Sequence, residues 1–109
     1  MSIDLTKKIE KLLEDKKAVD ISIIDIQDKT TLADYFIIAS GTSSTHIKSL
    51  ADNVDIELKK EGLLPHKIEG YKSNSWILMD YSSVIVNIFT QEQREHYNLE
   101  ELWTKIRKD

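Results

Sequence analysis

The stretch IIASGTSSTHIKSL, residues 37–50, places Gly41 and the hydroxyl residues Thr42, Ser43 and Ser44 between an apolar run and a helical pattern. Many phosphate-binding sites begin with a strand, a loop rich in Gly, Ser and Thr, and a helix. A Walker-type loop, however, needs two spaced glycines and a lysine directly before Ser or Thr, and a dinucleotide fingerprint also needs closely spaced glycines. The chain has only Gly41, Gly62 and Gly70, and Lys48 falls inside the helical pattern. Neither phosphate motif is therefore present.

A metal site of the nucleotidyltransferase type is a closer catalytic comparison. In such a site a Gly-Ser turn precedes two carboxylates, spaced i, i+2 on a strand, that bind one Mg²⁺ together. The candidates downstream are Asp55 and Glu57, but the pattern places both on a helix, where residues two apart point about 200° away from each other. We therefore expect Thr42, Ser43 and Ser44 to cap the helix, with phosphate binding as the less favoured alternative.

The other polar side chains give weaker chemical signals. His46, His66 and His96 lack the spacing of metal ligands, and no G-x-S-x-G turn presents a nucleophilic serine. Asp34 and Asp80, expected at the start and the end of strands, are candidates for a carboxylate pair. Turn and cap residues at strand ends are commonly polar, so this structural interpretation is favoured. We expect no enzyme activity, no bound metal and no cofactor.

The charge distribution favours some partners over others. The chain of 109 residues carries 15 basic and 19 acidic residues, for a net charge of −4, and residues 18–90 hold six lysines against ten acids. Binding to a phosphate backbone needs a basic stripe, and the sequence has none. Direct DNA binding is therefore disfavoured, and a basic protein partner is electrostatically easier.

The composition also bears on the compartment. No cysteine is present, which excludes disulfides and thiolate chemistry. The N-terminal segment MSIDLTKKIEKLLEDKK has no signal-peptide core. The longest apolar runs are about five residues, against about 20 needed to span a bilayer. We expect a cytoplasmic protein with no membrane partner.

Apolar periodicity predicts the elements that position these residues. A helix is expected over about 4–16, and a second helix has an apolar stripe over 47–58 and ends at Gly62 and Pro65. Strands are predicted at 19–26, 34–40, 66–70, 76–80 and 84–89. The first strand carries apolar residues on both faces, which predicts a place in the interior of the sheet.

The C-terminal part completes the predicted fold. Thr90 and Asn98 begin capping-box patterns for two further helices, and Trp103 lies on the apolar face of the last one. The long helix between the second and third strands permits a crossover, and the last three strands favour a meander. We predict an α/β fold in which residues 1–109 form one domain, with a mixed five-stranded sheet flanked by helices.

Several segments in order resemble the ribosomal silencing factor family, also called RsfS or Iojap-like proteins. They are DYFIIASGTSSTHIKSLADNV, EG at 69–70, WILMDYSSVIVNIF and REHYNLEELW, and the resemblance covers about residues 18–104. It implies a compact α/β domain akin to the nucleotidyltransferase fold but without transferase activity. It further implies docking on the large-subunit ribosomal protein L-fourteen, which blocks joining of the small subunit and lowers translation when nutrients are short.

The resemblance also implies residues that bind the partner: Asp34, Trp76, Asp80, Arg94 and Tyr97. Trp76 would be the apolar anchor, although a tryptophan at the start of a strand, taken alone, is more often a packing residue. Asp34 and Asp80 would pair with basic groups of the ribosomal protein. Arg94 and Tyr97 would either contact the partner or orient the C-terminal helix within the chain.

The sequence departs from the family pattern at three places. Ser82-Ser83 replaces the usual Gly-Asp, Asn87 replaces the usual His, and Thr45 replaces a residue that is often basic. Asn87 keeps a hydrogen-bonding side chain but cannot titrate. Two alternatives remain open at this point: a nucleotide-binding enzyme that uses the 41–44 loop, and a homodimer formed through the same apolar rim.

Overall fold

The computed structural model describes residues 2–28, 31 and 33–96. The elements are α1 (Ser2–Asp15), β1 (Val19–Asp25), β2 (Tyr35–Gly41), α2 (Ser44–Lys59), β3 (Lys67–Glu69), β4 (Trp76–Asp80), β5 (Val84–Thr90) and α3 (Gln91–His96). The predicted last helix, with Trp103, lies outside the described residues. Within the described part of the chain, no helix is long and apolar enough to cross a membrane.

The five strands form one mixed sheet in the order β1-β2-β5-β4-β3. The central strands β2 and β5 are parallel, from Tyr35 opposite Val84 to Gly41 opposite Thr90, and every other neighbouring pair is antiparallel. The segment with α2 carries the chain from β2 to the far edge, and β3, β4 and β5 return as a meander. The predicted mixed sheet, crossover and meander are confirmed, while likeness to the nucleotidyltransferase fold stays a prediction.

The predicted position of β1 in the interior of the sheet is wrong, because β1 is an edge strand. Its register shifts between Val19 and Ser22, where Asp20 adopts a φ of 50°. Ile21 packs against the helix-side core, whereas Ile24 packs with the cluster on the other face. Each face of β1 thus contributes an apolar residue to a cluster, although none of its residues is fully buried.

The helices α1 and α2 lie antiparallel on one face of the sheet. Asn53 of α2 donates a hydrogen bond from Nδ2 to the Leu12 carbonyl at 3.0 Å, and Lys8 pairs with Glu61 at the other end. The core between the helices and the sheet is fully buried; its members include Ile9, Leu13, Ile37, Ile47, Leu50, Val54, Leu58, Ile77, Met79, Val86 and Ile88. The apolar stripes predicted for both helices therefore face this core.

The opposite face of the sheet carries a second, smaller cluster. Its buried members are Ile26, Ala33, Phe36, Ile38 and Phe89, with Ile24, Trp76 and Ile85 packed against them. We call this side of the sheet the second face. Strand alternation also places Leu78, Asp80 and Asn87 on it. Asn87 is buried there, with 1% of its surface exposed.

Both ends of α2 have capping motifs that can be predicted from the sequence. Ser43 is the N-cap, and its hydroxyl accepts a hydrogen bond from the His46 backbone N–H at 3.1 Å. At the other end Gly62 has a φ of 82°, and the backbone N–H of Leu63 reaches the carbonyl of Leu58 at 2.9 Å. This pattern is a Schellman motif, which confirms the predicted helix end at Gly62.

Candidate functional site

A polar cleft of about 750 Å³ opens at the C-terminal ends of β2 and β5. Hydroxyl and carboxylate side chains line it, among them Thr42, Ser43, Ser44, Thr90, Glu92 and Glu95. Gly41 ends β2 beside it, and a Cβ at this position would lie 2.8 Å from Cγ2 of Ile47. The glycine therefore lets the first turn of α2 pack closely against the strand end.

The polar groups of residues 41–46 form hydrogen bonds with one another and with the end of α1. The Thr42 backbone N–H donates to Nδ1 of His46 at 2.9 Å, and Nε2 of His46 lies 2.8 Å from the carbonyl oxygen of Lys16. Nδ1 must therefore accept and Nε2 must donate, so His46 ties the loop to the end of α1 as a neutral ring. With Ser43 as the cap, this geometry supports the predicted capping role of the loop.

The described residues offer little support for metal chemistry near this loop. Asp55 and Glu57 lie on α2, as predicted, so their spacing turns the two carboxylates away from each other. Among the described residues, no group of three or more His, Cys, Asp or Glu side chains could hold a metal ion.

Trp76 opens β4 on the second face and is partly buried. Its ring stacks on Phe89, with ring centroids 5.3 Å apart and an interplanar angle of 24°. The indole Nε1 donates a hydrogen bond to Oδ1 of Asn87 at 3.0 Å. One side of the indole is thus fixed within the protein while part of the ring remains accessible.

An apolar groove of about 240 Å³ lies beside Trp76. Leu78 lines it together with Trp76, and Glu69 stands on the neighbouring edge strand. Gly70 has a φ of 76°, and a Cβ there would lie 2.3 Å from the Trp76 carbonyl oxygen. The hydroxyl of Ser73 accepts a hydrogen bond from the Trp76 backbone N–H at 3.2 Å. The turn before β4 therefore holds the backbone of Trp76 closely in place.

Asp34 and Asp80 lie at the opposite end of the sheet, next to the turn that joins β4 to β5. Oδ1 of Asp80 accepts a hydrogen bond from the Ser82 backbone N–H at 2.8 Å, and the Asp34 backbone N–H donates to the carbonyl of Ser83 at 2.7 Å. This geometry supports the interpretation of Asp80 as a turn residue. Asp80 is only partly buried and lies on the second face.

The predicted site residues do not form one compact cluster. Trp76 and Asp80 lie on the same face of β4, four residues apart, which separates them by about 13 Å. They mark the two ends of a strip that runs along β4 on the second face, with Leu78 between them. An arrangement of this length suits a protein surface better than a small substrate.

Arg94 reaches from α3 back to the strands. It donates hydrogen bonds from Nη1 to the Asp20 carbonyl and to Oγ of Ser40 at 2.9 Å, and from Nη2 to Oγ of Ser22 at 3.3 Å. Burial lowers the pKa of the guanidinium, and the Asp20 charge opposes this shift, so the group stays charged. These contacts correspond to the intramolecular alternative for Arg94, while its role toward a partner stays a prediction. Tyr97 lies outside the described residues.

Sequence reasoning missed the two residues that hold the indole, Asn87 and Phe89. The length of the short turn between β4 and β5 could have predicted their positions opposite β4. It fixes the register so that Trp76 lies opposite Phe89 and Leu78 opposite Asn87. Asn87 is then a diagonal neighbour of Trp76 on the same face, within reach of an aromatic side chain.

The comparisons with known proteins agree with one another, and they cover nearly the whole chain. The sequence matches the family described as "Ribosomal silencing factor during starvation" over residues 1–109. It is 36% identical over 99 residues to "Ribosomal silencing factor RsfS" of Haemophilus influenzae, which covers 91% of this chain and 97% of that relative. It is 34% identical over 96 residues to "Mitochondrial assembly of ribosomal large subunit protein 1" of Mus musculus, which covers 85% of this chain and 42% of that protein.

A solved structure agrees with the sequence comparison. The fold is similar to that of a crystal structure of a protein from Chromobacterium violaceum, with a TM-score of 0.86 and 34% identity, covering 92% of this chain and 83% of that chain. The family match extends over the strands, the helix-capping loop and the strip along β4 described above. The chain therefore belongs to the ribosomal silencing factor family.

Proposed function

We propose that the chain is a ribosome-associated regulator that silences translation by binding and not by catalysis. Membership of the ribosomal silencing factor family supports the ribosome-associated role. The observation that carries the proposal within the molecule is the partly exposed Trp76, backed by Phe89 and held by Asn87 beside an apolar groove. A rigid aromatic ring next to a groove is a common anchor of protein interfaces.

We infer that the strip along β4 docks on the large-subunit ribosomal protein L-fourteen. The bound protein would then sterically block association of the two subunits. A partner that presents an apolar side chain to the groove, flanked by basic groups, would complement this strip. Glu69 lies opposite Leu78 in the middle of the strip, and Asp80 ends the strip. Lys67 lies opposite Asp80, 3.8 Å from the Glu69 carboxylate, so the acids are only partly balanced on this face. Asp34 adds a further acid near the Asp80 end.

Co-sedimentation with purified large subunits tests the anchor. Trp76→Ala is expected to weaken binding at least thirtyfold, or about 2 kcal/mol, because a buried interfacial tryptophan is lost. Tyr71→Ala is a matched control, since Tyr71 is also exposed but donates its hydroxyl to Asp52 of α2, away from the strip. A subunit-joining assay with the same variants then tests the steric block.

Two measurements separate an anchor from a core residue. Urea unfolding of Trp76→Ala reports folding stability, and binding of its folded fraction reports docking. If the variant loses stability strongly while its folded fraction binds normally, Trp76 is a packing residue and the proposed anchor is wrong. If Tyr71→Ala loses binding as strongly as Trp76→Ala, the docking surface lies elsewhere.

The polar cleft keeps a second candidate function open, a nucleotide-binding enzyme that uses the 41–44 loop. The cleft lies at the carboxyl ends of two parallel strands, where ligands of α/β proteins often bind. Glu92 and Glu95 in its lining would repel phosphate groups, which disfavours this alternative. A thermal-shift screen with nucleotides and Mg²⁺ tests it, because a ligand at about 100 times its Kd would add roughly 2.7 kcal/mol of stability.

A homodimer of the free protein is the remaining possibility, with a second copy on the groove that otherwise receives the ribosomal protein. Sedimentation velocity with wild type and Trp76→Ala tests it directly. A dimer that dissociates in the variant, or on addition of large subunits, would show that both partners use the same surface.

A further inference from the structure

We propose that Asn87 is a positioning residue for the docking surface, because its side-chain amide holds the indole of Trp76 in one orientation. The inference rests on the proposed function, in which Trp76 is the anchor, and adds a second residue that acts through it. Neither the family pattern, which usually has His at this position, nor the charge distribution assigns this role to the amide.

The environment of Asn87 is unusual for a polar side chain. The residue is 1% exposed and lies on β5 between Ile85 and Phe89 on the second face. Its Oδ1 accepts from the indole of Trp76, but among the described residues its Nδ2 has no hydrogen-bond partner. Burying an amide that is only half satisfied is unfavourable, and a leucine, which has the same branching, would avoid this cost while giving up the bond to the indole. Stability alone therefore does not explain an asparagine here.

The hydrogen bond fixes the orientation of the indole within its plane, which packing alone does not. Stacking of Trp76 on Phe89 fixes the plane of the indole, but a flat ring can stack in that plane in more than one orientation. The bond from Nε1 to Asn87 is directional, so it selects one of these orientations and with it the ring edge that faces the groove. An anchor fixed before docking loses less conformational freedom when the partner binds.

The proposal predicts coupling between the two residues, which a double-mutant cycle measures. Asn87→Leu removes the acceptor and is expected to weaken binding to large subunits about five- to tenfold, the value of one ordinary hydrogen bond. Trp76→Phe keeps an aromatic ring but removes the indole N–H. In the Trp76→Phe background, Asn87→Leu is expected to cause no further loss of binding.

A conservative replacement separates positioning from packing. A neutral histidine also offers an acceptor nitrogen, so Asn87→His at pH 8 is expected to bind within about fivefold of wild type. Urea unfolding of each variant controls for folding. Asn87→Leu is expected to stay close to wild type in stability, because loss of the half-satisfied amide is offset by loss of the acceptor of the indole N–H.

An NMR measurement tests the positioning without the ribosome. In a Trp103→Phe background a single indole N–H signal reports Trp76, and Asn87→Leu is expected to shift this signal and speed its hydrogen exchange. An unchanged signal would overturn the positioning role even if docking is affected. Equal loss of binding on Asn87→Leu with and without the indole N–H would also overturn it. If wild type fails to bind large subunits, the proposed function fails, and the indole signal still decides whether Asn87 orients Trp76.

Discussion

Ser82, in the turn between β4 and β5, has a φ of 70°, in the left-handed region. A side chain in this conformation is strained by about 1–2 kcal/mol, whereas glycine adopts it freely. The family resemblance led us to expect glycine at this position but gave no physical reason for it. The structure supplies the reason, because the carboxylate of Asp80 and the short turn hold the backbone of Ser82 in this conformation.

We therefore predict that Ser82→Gly stabilises the protein by about 0.5–1 kcal/mol, since relief of the strain outweighs the greater freedom of glycine in the unfolded chain. Urea unfolding monitored by circular dichroism measures the change. Ser83→Gly is the matched control: Ser83 is not among the described residues with a positive φ, so the same substitution there is expected to destabilise. A gain at Ser83 as large as that at Ser82 would contradict the assignment of strain to Ser82.

At the scale of elements, Arg94 links α3 to the sheet. Arg94 donates hydrogen bonds to the Asp20 carbonyl in the bulge of β1 and to the hydroxyls of Ser22 and Ser40. The planar guanidinium reaches two strands at once, which a lysine ammonium cannot reproduce with the same geometry. Arg94 therefore fixes both α3 and the irregular start of β1.

We predict that Arg94→Lys lowers the free energy of unfolding by about 1–2 kcal/mol and speeds hydrogen exchange of the β1 amides, because part of this network is lost. Urea unfolding and exchange measured by NMR check the two effects. Glu95→Gln, an exposed change on the same helix, is expected to stay within about 0.5 kcal/mol of wild type. Weakened ribosome binding with unchanged stability and exchange would instead place Arg94 in direct contact with the partner.

The elements also show which features of the fold could be predicted from the sequence and which could not. Apolar periodicity located the five strands and both long helices, because each element buries a face with its own repeat. The same signal misplaced β1, since an edge strand that contributes apolar residues to both faces has the pattern of an interior strand. The contacts of Arg94 were beyond prediction, because they depend on a bulge at Asp20 that no local turn signal announces.

At the scale of the whole molecule, the acidic charge and the proposed apolar anchor would act over different distances. The net charge of −4 attracts a basic partner through the solvent, whereas Trp76 acts only on contact. Asp80 allows the two contributions to be separated, because its carboxylate oxygen also accepts the backbone N–H of Ser82. Asparagine at this position would keep an acceptor oxygen for the turn and remove the charge.

We predict that Asp80→Asn keeps the stability of the fold and weakens docking by up to about fivefold, the usual range for a pair at the rim of an interface. The difference from wild type is expected to shrink as salt rises from 0.1 to 0.5 M, because exposed charges are screened. Binding titrations at the two salt concentrations measure this. Asp52→Asn, on α2 away from the strip, is the control, and an equal loss there would show that only the net charge matters.

The anchor itself illustrates the limit of sequence reasoning about a site. The position of Trp76 at the start of a strand was predicted, but the same position is compatible with packing and with binding. In the structure the ring stacks on Phe89 and also lines the groove, so it packs within the protein and presents part of its surface to solvent. Which part of a ring stays accessible depends on neighbours from another strand, and a single segment of sequence cannot specify them.

The parallel pairing of β2 with β5 has a consequence for how the chain is made. Tyr35 pairs with Val84 and Gly41 with Thr90, so the central ladder joins segments that leave the ribosome far apart in time. While the intervening segment is being synthesised, β2 lacks its central neighbour and exposes an apolar strand edge, a template for aggregation. Pairing of such distant segments is also slow. The ladder that supports the proposed docking surface thus forms only after β5 has been synthesised, and until then the edge of β2 is open to unwanted strand pairing.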